Sequence, residues 1–283
     1  MQRRRMSDRE TERRILDAAV MLVHEQGIST GLERIAFDEV VRRAEVSRTS
    51  AYRRWPKRDQ FYGEVLMKLA SGTTLPAPEA TITGPAADVV RGYAQWLESP
   101  QGHRNLVVEL LRVSIGRDYE VASTAPEWRT FTSLLASHQG ITDDDVRDAV
   151  AAELVAAERR SVEARARAYA QFTALLGYRL IPPLAGPDGF ELMSRAAGAT
   201  MTGLLTKLSL GDPTDQAPRH MRAFGSTESA EWTPAIYMIT STVLGYVEPD
   251  PGVAWNPTRV DDLLTAIAGF RSGISDLVAA PAR

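Results

Sequence analysis

The chain has 283 residues, a net charge of −3 and no cysteine, which excludes disulfides and thiolate metal sites. Hydrophobic residues make up 44% of the sequence and charged residues 24%, proportions typical of folded globular domains, so wholesale disorder is excluded. Because 18 apolar residues never run together, the sequence predicts no membrane-spanning helix.

The first predicted helix begins after Ser7 and ends at Gly27. Ser7 and Glu10 form a Ser-x-x-Glu capping box, which satisfies free amide groups at a helix start. An apolar stripe at helical spacing follows. Its residues are Ile15, Leu16, Ala19, Val20, Leu22 and Val23. We therefore predict a helix of about four turns.

Two short helices and a longer one are predicted next. The second helix has acidic residues, Asp38 and Glu39, where the helix dipole favours negative charge, and it ends near Ala44. The third, RTSAYRRW, starts after Ser47, which is a good N-cap, and Pro56 limits its end. A fourth helix spans about residues 57–70. Its apolar side contains Phe61, Tyr62, Val65, Leu66 and Leu69.

The rest of the chain also predicts helices, which gives an all-α fold. Residues 71–88 are rich in Gly, Pro and Thr and predict a connection. Helices are predicted after it at 87–98, 103–116, 127–138, 143–179, 190–210, 234–247 and 258–278, and we expect one or two breaks within 143–179. No alternating strand pattern is present. The predicted organisation is a domain at 1–71, a linker at 72–87 and a larger helical domain at 88–283.

Positive charge and aromatic rings are concentrated in residues 40–62, VVRRAEVSRTSAYRRWPKRDQFY. Residues 1–58 contain 14 Lys and Arg against 9 Asp and Glu, whereas residues 59–283 contain 19 against 27. Such a basic module on an acidic body suggests polyanion binding. Two short helices joined by a tight turn, the second rich in arginine, predict a helix-turn-helix whose second helix enters the DNA major groove.

That second helix offers side chains for two kinds of DNA contact. Arg48, Thr49 and Ser50 lie in its N-terminal half, from which an arginine can address guanine with two hydrogen bonds. Side chains further along are placed to hold phosphates, which orient a protein without reading sequence. The phosphate-binding candidates are Tyr52, Arg53, Arg54, Lys57 and Arg58. A solvated basic helix that binds no DNA is the alternative interpretation.

The stretch VVRRAEVSRTSAYRRWPKRDQFYGEVL resembles the DNA-binding segment of TetR-family transcriptional regulators, whose pattern is roughly I-A-x-x-A-G-V-S-x-x-x-x-Y-x-x-F-x-x-K-x-x-L. The resemblance covers about residues 11–70. The positions that match in kind are Val40, Val41, Ala44, Val46, Ser47, Tyr52, Trp55 and Phe61. The resemblance implies base or phosphate contact by Arg48, Thr49, Ser50 and Arg53. It also implies phosphate contact by Tyr52 and Lys57, and a core role for Trp55 and Phe61.

Three features depart from the family pattern. Glu45 stands at the usual turn glycine, so the turn must adopt a conformation that a side chain tolerates or accept strain. Ala36 stands where a Ser or Thr often caps the second helix and touches phosphate. The loop before it, ISTGLERIA, is longer than usual, and Arg34 in this loop is our candidate to replace the missing phosphate contact.

The same resemblance implies a homodimeric repressor that binds an operator in double-stranded DNA. Its helical domain binds a small apolar or amphipathic effector, which releases the repressor from the operator. Such pockets are mostly apolar with a few polar anchors. Aromatic residues on the segments that would surround the effector pocket are Tyr93, Trp96, Trp128, Phe131, Tyr169, Phe172 and Tyr178. An ordinary core position is the competing interpretation for each ring. The candidate polar anchors are His103, Arg112 and His138. The alternative for each is a position at the surface or paired with a local neighbour.

For the dimer interface, the sequence favours the predicted helices 190–210 and 258–278, with 234–247 as the rival second face. The first contains small and apolar residues that permit close helix approach, namely Ala197, Gly198, Met201, Leu204 and Leu205. The second contains Leu263, Leu264, Ile267, Ala268 and Phe270. Packing within one chain is the alternative for both sets.

An enzymatic function is not expected. The sequence has no glycine-rich phosphate loop, no GxSxG turn and no paired-histidine metal motif, so we predict neither a cofactor nor a metal ion. The closer rival is a DNA-binding regulator without a small-molecule effector, which a protein partner controls or which acts as an activator. The lack of cysteine fits a cytoplasmic protein.

Overall fold

The computed structural model describes residues 7–26, 36–75, 88–208, 211, 217–254, 258–259 and 261–266. The helices, in chain order, are α1 (Asp8–Gln26), α2 (Phe37–Arg43), α3 (Arg48–Arg54), α4 (Arg58–Ser71), α5 (Pro100–Thr124), α6 (Pro126–Ser137), α7 (Asp144–Leu175), α8 (Pro187–Leu208) and α9 (Pro234–Leu244). The strands are β1 (Tyr178–Leu180), β2 (Arg219–Met221), β3 (Ala230–Trp232) and β4 (Val247–Pro249). Residues 88–93, 258–259 and 261–266 are also helical. Turns of 3₁₀ helix occur at Ala94–Glu98, His138–Gly140 and Pro182–Leu184.

The chain divides into two compact units. The N-terminal unit comprises Met1–Leu75 and Ala125–Arg159, and the C-terminal unit comprises Pro76–Thr124 and Arg160–Arg283. The prediction of a mostly helical protein is confirmed. The predicted domain limits stay predictions, and residues 76–87 of the predicted linker lie outside the described residues. In the part of the chain that the structure describes, no helix has both the length and the apolarity that a bilayer crossing requires.

The core of the N-terminal unit forms around α1, which packs against α2, α3 and α4. The predicted cap is present, since the Glu10 N–H donates to Ser7 Oγ at 3.2 Å. Of the predicted stripe, only Val20 is half-buried, and the other residues are buried. Helix α4 also approaches α7 closely, because a Cβ on Gly63 would lie 3.0 Å from a methyl group of Val146.

Helix α7 is continuous, which corrects the expected breaks within 143–179. It runs from Asp144 to Leu175 without interruption. Alanine and charged residues dominate this segment, and both are compatible with a long helix. The helix ends where Gly177 has a φ of +64°, a left-handed conformation that glycine adopts at little cost.

The C-terminal unit is built on α5, which packs against the Ala94–Glu98 turn, α8 and α9. Two antiparallel ribbons complete it. Strand β1 pairs with β4, with Arg179 opposite Glu248, and β2 pairs with β3, with His220 opposite Glu231. The sequence predicted no strands, so these four are a correction. Each strand has three residues, which is too short to show an alternating pattern.

The predicted dimer face is partly core. Ala197, Met201 and Leu263 are buried within the C-terminal unit. Leu264 is partly buried against the same apolar cluster as Leu263, a cluster that α5 helps to form. These four residues pack within one chain, which was the alternative for both sets. The choice of helices 190–210 and 258–278 for the interface stays a prediction. The predicted residues from Ile267 onwards lie outside the described part of the chain.

Candidate nucleic-acid interface

The connection between α2 and α3 comprises residues 44–47. Glu45 has a φ of +54°, in the left-handed region that glycine adopts more readily than any residue with a side chain. Of the two alternatives predicted for this turn, a tolerated conformation or strain, the positive φ supports strain. Ser47 then begins α3 as predicted, because its Oγ accepts a hydrogen bond from the Ser50 N–H at 3.1 Å.

Aromatic rings pack behind α3. Trp55 is 2% exposed and Phe61 is fully buried, and their centroids lie 5.6 Å apart with the rings edge to face. Phe37 of α2 joins them, with its centroid 4.7 Å from that of Phe61. Edge-to-face pairs of this kind contribute about 0.5–1.5 kcal/mol beyond the area they bury. The prediction that Trp55 and Phe61 are core residues is confirmed, and they join α3 to α4.

The opposite side of α3 is open. Ala51 faces the core and has no exposed surface. The exposed residues of this helix are Arg48, Thr49, Tyr52 and Arg53. With 3.6 residues per turn, these four positions share one side of the helix. Ser50 differs, because it is half-buried and its Oγ accepts a hydrogen bond from the Ser47 hydroxyl at 2.8 Å.

Carboxylates of other helices pair with this exposed side. Asp38 Oδ1 lies 3.4 Å from Arg48 Nε and accepts a hydrogen bond from the Tyr52 hydroxyl at 3.3 Å. Arg53 Nη2 lies 2.7 Å from a carboxylate oxygen of Asp8 in α1. The Arg48 side chain is 74% exposed, and ion pairs exposed to this degree contribute about 0–1 kcal/mol. Both arginines can therefore exchange their carboxylates for another anion at low cost.

Arg54 has different surroundings from the other arginines of α3. Its side chain is 31% exposed, and it donates to Glu12 of α1 at 3.1 Å and to Glu64 of α4 at 2.9 Å. The hydrogen bond to Glu12 is the largest of several contacts that raise the pKa of Arg54. The guanidinium carbon also lies 4.8 Å from the centroid of the Trp55 ring. Arg54 thus connects three helices and is not part of the exposed side of α3.

Two further cations follow α3. Lys57 and Arg58 are exposed, and neither forms an ion pair within the described residues. Lys57 is the N-cap residue of α4 and supplies no capping hydrogen bond. The first amide groups of a helix and its dipole favour bound anions. The start of α4 therefore adds positive potential next to the exposed side of α3.

The surface around α2 has fewer groups that could bind a phosphate than the surface around α3. Ala36 is the N-cap residue of α2 and makes no side-chain capping bond, as its side chain predicts. Arg34 lies outside the described residues. Arg42 pairs with Glu39, and Arg43 pairs with Glu25. Even so, residues 36–58 contain seven Lys and Arg against three Asp and Glu.

The rings predicted for an effector pocket belong to both units. Trp128 and Phe131 are buried in the N-terminal unit, where they meet edge to face with centroids 6.0 Å apart. Tyr93 and Trp96 belong to the C-terminal unit and stack at 4.2 Å. Tyr93 is nevertheless exposed on the surface.

The remaining three rings belong to the C-terminal unit. Tyr169 and Phe172 are half-buried on α7, and Tyr178 is buried in β1. Tyr178 packs against the His103 ring, and its hydroxyl accepts a hydrogen bond from Arg104 at 3.0 Å. Tyr178 is therefore a core residue, which was the competing interpretation.

The three conceivable polar anchors are locally paired. His103 is buried with Nε2 2.6 Å from the Leu176 carbonyl oxygen, and burial is the main cause that lowers the pKa of His103. Arg112 lies 2.6 Å from Glu109, its neighbour one turn earlier. His138 is half-buried, and its Nδ1 lies 2.9 Å from the Leu135 carbonyl oxygen of α6. None of the three presents a free polar group in a pocket.

Two buried polar residues were not singled out from the sequence. Asn105 accepts hydrogen bonds from Gln101 and from the Thr227 N–H, each at 3.0 Å, and so fixes the loop before β3 to α5. Arg165 is 8% exposed on α7. A single polar residue in a helix gives no sign of burial in the sequence, because surface positions contain the same residue types.

A comparison with models of known protein families finds no match, and a search of curated proteins finds none either.

Proposed function

We propose that the protein is a DNA-binding transcriptional regulator, most simply a homodimeric repressor that a small apolar or amphipathic effector releases from its operator. The observation that carries the proposal is the open cationic side of α3, which Trp55 and Phe61 support from behind. A short helix fixed on one side and exposed on the other can enter the major groove as a rigid element.

In this proposal the side chains of α3 divide their contacts by position. Arg48 and Thr49 stand at the N-terminal end, where Arg48 addresses a guanine and Thr49 a base edge or a thymine methyl group. Tyr52, Arg53 and Lys57 hold phosphates and set the orientation on the duplex. Arg54 is left out of this set because two carboxylates already bind it.

DNA binding replaces internal ion pairs with pairs to the duplex. In the absence of DNA, Asp38 forms an ion pair with Arg48, and Asp8 forms one with Arg53. Since both pairs are exposed, exchanging them for phosphate or base acceptors costs little. Each phosphate neutralised also releases condensed counterions, so affinity must fall as salt rises.

The homodimer is proposed because a single short helix reads few bases. Two copies related by two-fold symmetry double the contacts at half-sites about 34 Å apart. Helices α8 and α9 pack against each other and carry exposed apolar side chains at Leu192, Tyr237 and Met238. This surface, which includes the rival helix 234–247, is our choice for the interface.

The test is fluorescence anisotropy with the full-length protein and duplex DNA from upstream of its own gene, compared with random duplexes between 50 and 200 mM salt. We expect a preferred site and a linear fall of log affinity with log salt, with a slope of about −0.9 per phosphate contact. Arg48→Ala should reduce specific binding by about 1–3 kcal/mol, whereas Lys57→Ala should weaken all sequences similarly. Equal losses on both DNAs for both variants would refute this division, and salt-independent binding would refute the interface.

A further inference from the structure

Arg165 is a buried cation whose hydrogen-bond partners, among the described residues, are neutral. It lies on α7 in the C-terminal unit and is 8% exposed. Its Nη1 donates to the Ser194 carbonyl oxygen at 3.1 Å, and its Nη2 donates to Ser161 Oγ at 3.0 Å. Within the described residues, no carboxylate oxygen lies within 4.0 Å of its nitrogens. A guanidinium keeps its charge inside proteins, so the positive charge is buried without a directly paired carboxylate among the described residues.

Such an arrangement is energetically unfavourable for a purely structural residue. The effective penalty for removing an ion from water is several kcal/mol, and a neutral hydroxyl or carbonyl offsets only part of it. Arg112 of the same unit is more exposed than Arg165, yet Glu109 lies 2.6 Å from it. Because no described carboxylate pairs with it, the buried Arg165 is better explained by a bound anion.

Helix α8 leaves room for this guanidinium. A Cβ placed on Gly198 would lie 2.7 Å from Arg165 Nη1, closer than non-bonded atoms approach. Ser194, one turn earlier, is fully buried, and its hydroxyl donates to the Val162 carbonyl at 3.0 Å. Gly198 therefore leaves room for the charged end of Arg165. From the sequence we had predicted that this glycine permits close approach between helices.

Tyr169 provides a second donor one turn from Arg165 on α7. Residues four apart share a helix face. Burial raises the pKa of Tyr169 to about 12, with smaller opposing contributions from Arg165, which lowers it, and Asp118, which raises it. Because its pKa is raised, the phenol of this half-buried residue stays neutral and retains its O–H donor near neutral pH. Val162 and Ala166, close to Arg165 on α7, are also buried.

We propose that Arg165 binds the carboxylate of an amphipathic small molecule in the C-terminal unit, with the Tyr169 hydroxyl as a second donor. The planar guanidinium fork matches two carboxylate oxygens, and the buried position of Arg165 favours a ligand whose remaining body is apolar. One guanidinium balances one negative charge, which favours a monocarboxylate over a doubly charged phosphate monoester. The identification of this molecule as the effector rests on the proposed function, whereas its binding does not.

The test uses straight-chain monocarboxylates of four to twelve carbons and the matching alcohols, with thermal unfolding and calorimetric titration of the full chain. A ligand that binds only the folded state raises the unfolding temperature. We expect carboxylates, and not alcohols, to raise it and to bind. Arg165→Met should abolish the preference for the acid, with affinity reduced about tenfold or more. Arg167→Met, at an exposed position on the same helix, should retain it.

Gly198→Ala is the second variant, because it retains the charge but forces Nη1 from its position. We expect it to fold and to bind the carboxylate at least several-fold more weakly, so it decides the matter if Arg165→Met does not fold. Equal responses to acids and alcohols, no response across the series, or an unchanged acid response in Arg165→Met would overturn the proposal. If the acids bind through Arg165 but leave DNA affinity unchanged, the site stands and the effector role fails. If the protein binds no DNA, the regulator function fails while the site is judged separately.

Discussion

Arg48 lies 3.4 Å from Asp38, so the arginine best placed for a base edge is paired with an acid of the preceding helix. The same carboxylate accepts a hydrogen bond from Tyr52, a candidate phosphate ligand. Asp38 therefore holds two proposed DNA-binding side chains on the open side of α3 and also competes with DNA for them. Because the pair is exposed, competition outweighs stabilisation.

Asp38→Asn should strengthen DNA binding. The amide retains a hydrogen-bond acceptor for Tyr52 but removes a negative charge near the phosphates, which we expect to raise affinity about three- to tenfold at 0.1 M salt. The free energy of unfolding should change by about 0.5 kcal/mol or less. Anisotropy titrations and urea denaturation measure the two effects. Glu39→Gln is the control, because it removes the same charge from α2 at a residue paired with Arg42. Weaker binding by Asp38→Asn would show that Asp38 positions Arg48 and does not compete with DNA.

Arg54→Met should destabilise the N-terminal unit and leave phosphate contacts intact. The change leaves Glu12 and Glu64 without their shared cation and removes the guanidinium beside Trp55. We expect a loss of about 1–3 kcal/mol in the free energy of unfolding, measured by urea denaturation. Lys57→Met is the matched control and should change stability by no more than about 0.5 kcal/mol. The opposite ranking of the two variants in stability would show that Arg54 does not stabilise the N-terminal unit.

Glu45→Gly should stabilise the protein. Glu45 has a φ of +54°, which disfavours any side chain, and glycine removes the clash at some entropic cost in the unfolded chain. The net gain should be about 0.5–1 kcal/mol, seen as a higher urea midpoint. Glu45→Ala removes the same charge but retains a Cβ, so it separates backbone relief from electrostatics. Equal stabilisation by both variants would assign the effect to charge.

Much of the candidate interface could be predicted because its signals are local. The Ser47 cap, the open positions of α3 and the buried rings of Trp55 and Phe61 follow from residues within 15 positions of one another. The sequence also marked Glu45 as a position of either strain or an adapted turn, because glycine is the usual residue there, and the structure has a φ of +54°.

The surroundings of single charged residues could not be predicted. Arg54 is adjacent to Arg53 in the sequence, yet Glu12 and Glu64, which bind it, come from two other helices. Arg165 likewise lies among many charged residues of α7, and its burial depends on contacts with α8. Helical periodicity indicates which face is apolar, but it does not state which polar residue another helix covers.

His103 should make stability depend on pH. Burial is the main cause that lowers the pKa of His103 in the folded state, and the bond to Leu176 opposes it. As pH falls below the ordinary histidine value of about 6.5, the unfolded chain therefore gains a proton before the folded chain does. The free energy of unfolding then decreases down to the folded-state pKa, at no more than about 1.4 kcal/mol per pH unit from this group. His103→Gln should reduce the slope between pH 6.5 and 5, measured by urea denaturation, while His24→Gln at an exposed position should not. An unchanged slope in His103→Gln would show that other groups cause it.

In vitro selection from a random duplex library, with the full-length protein and its Arg48→Ala variant, tests the DNA-binding role of α3 most directly. We expect the wild-type protein to enrich an inverted repeat with half-sites about one helical turn apart, and Arg48→Ala to lose preference at one symmetric base position in each half-site. Enrichment of no sequence by the wild-type protein, or the same repeat with unchanged preferences from Arg48→Ala, would contradict this role.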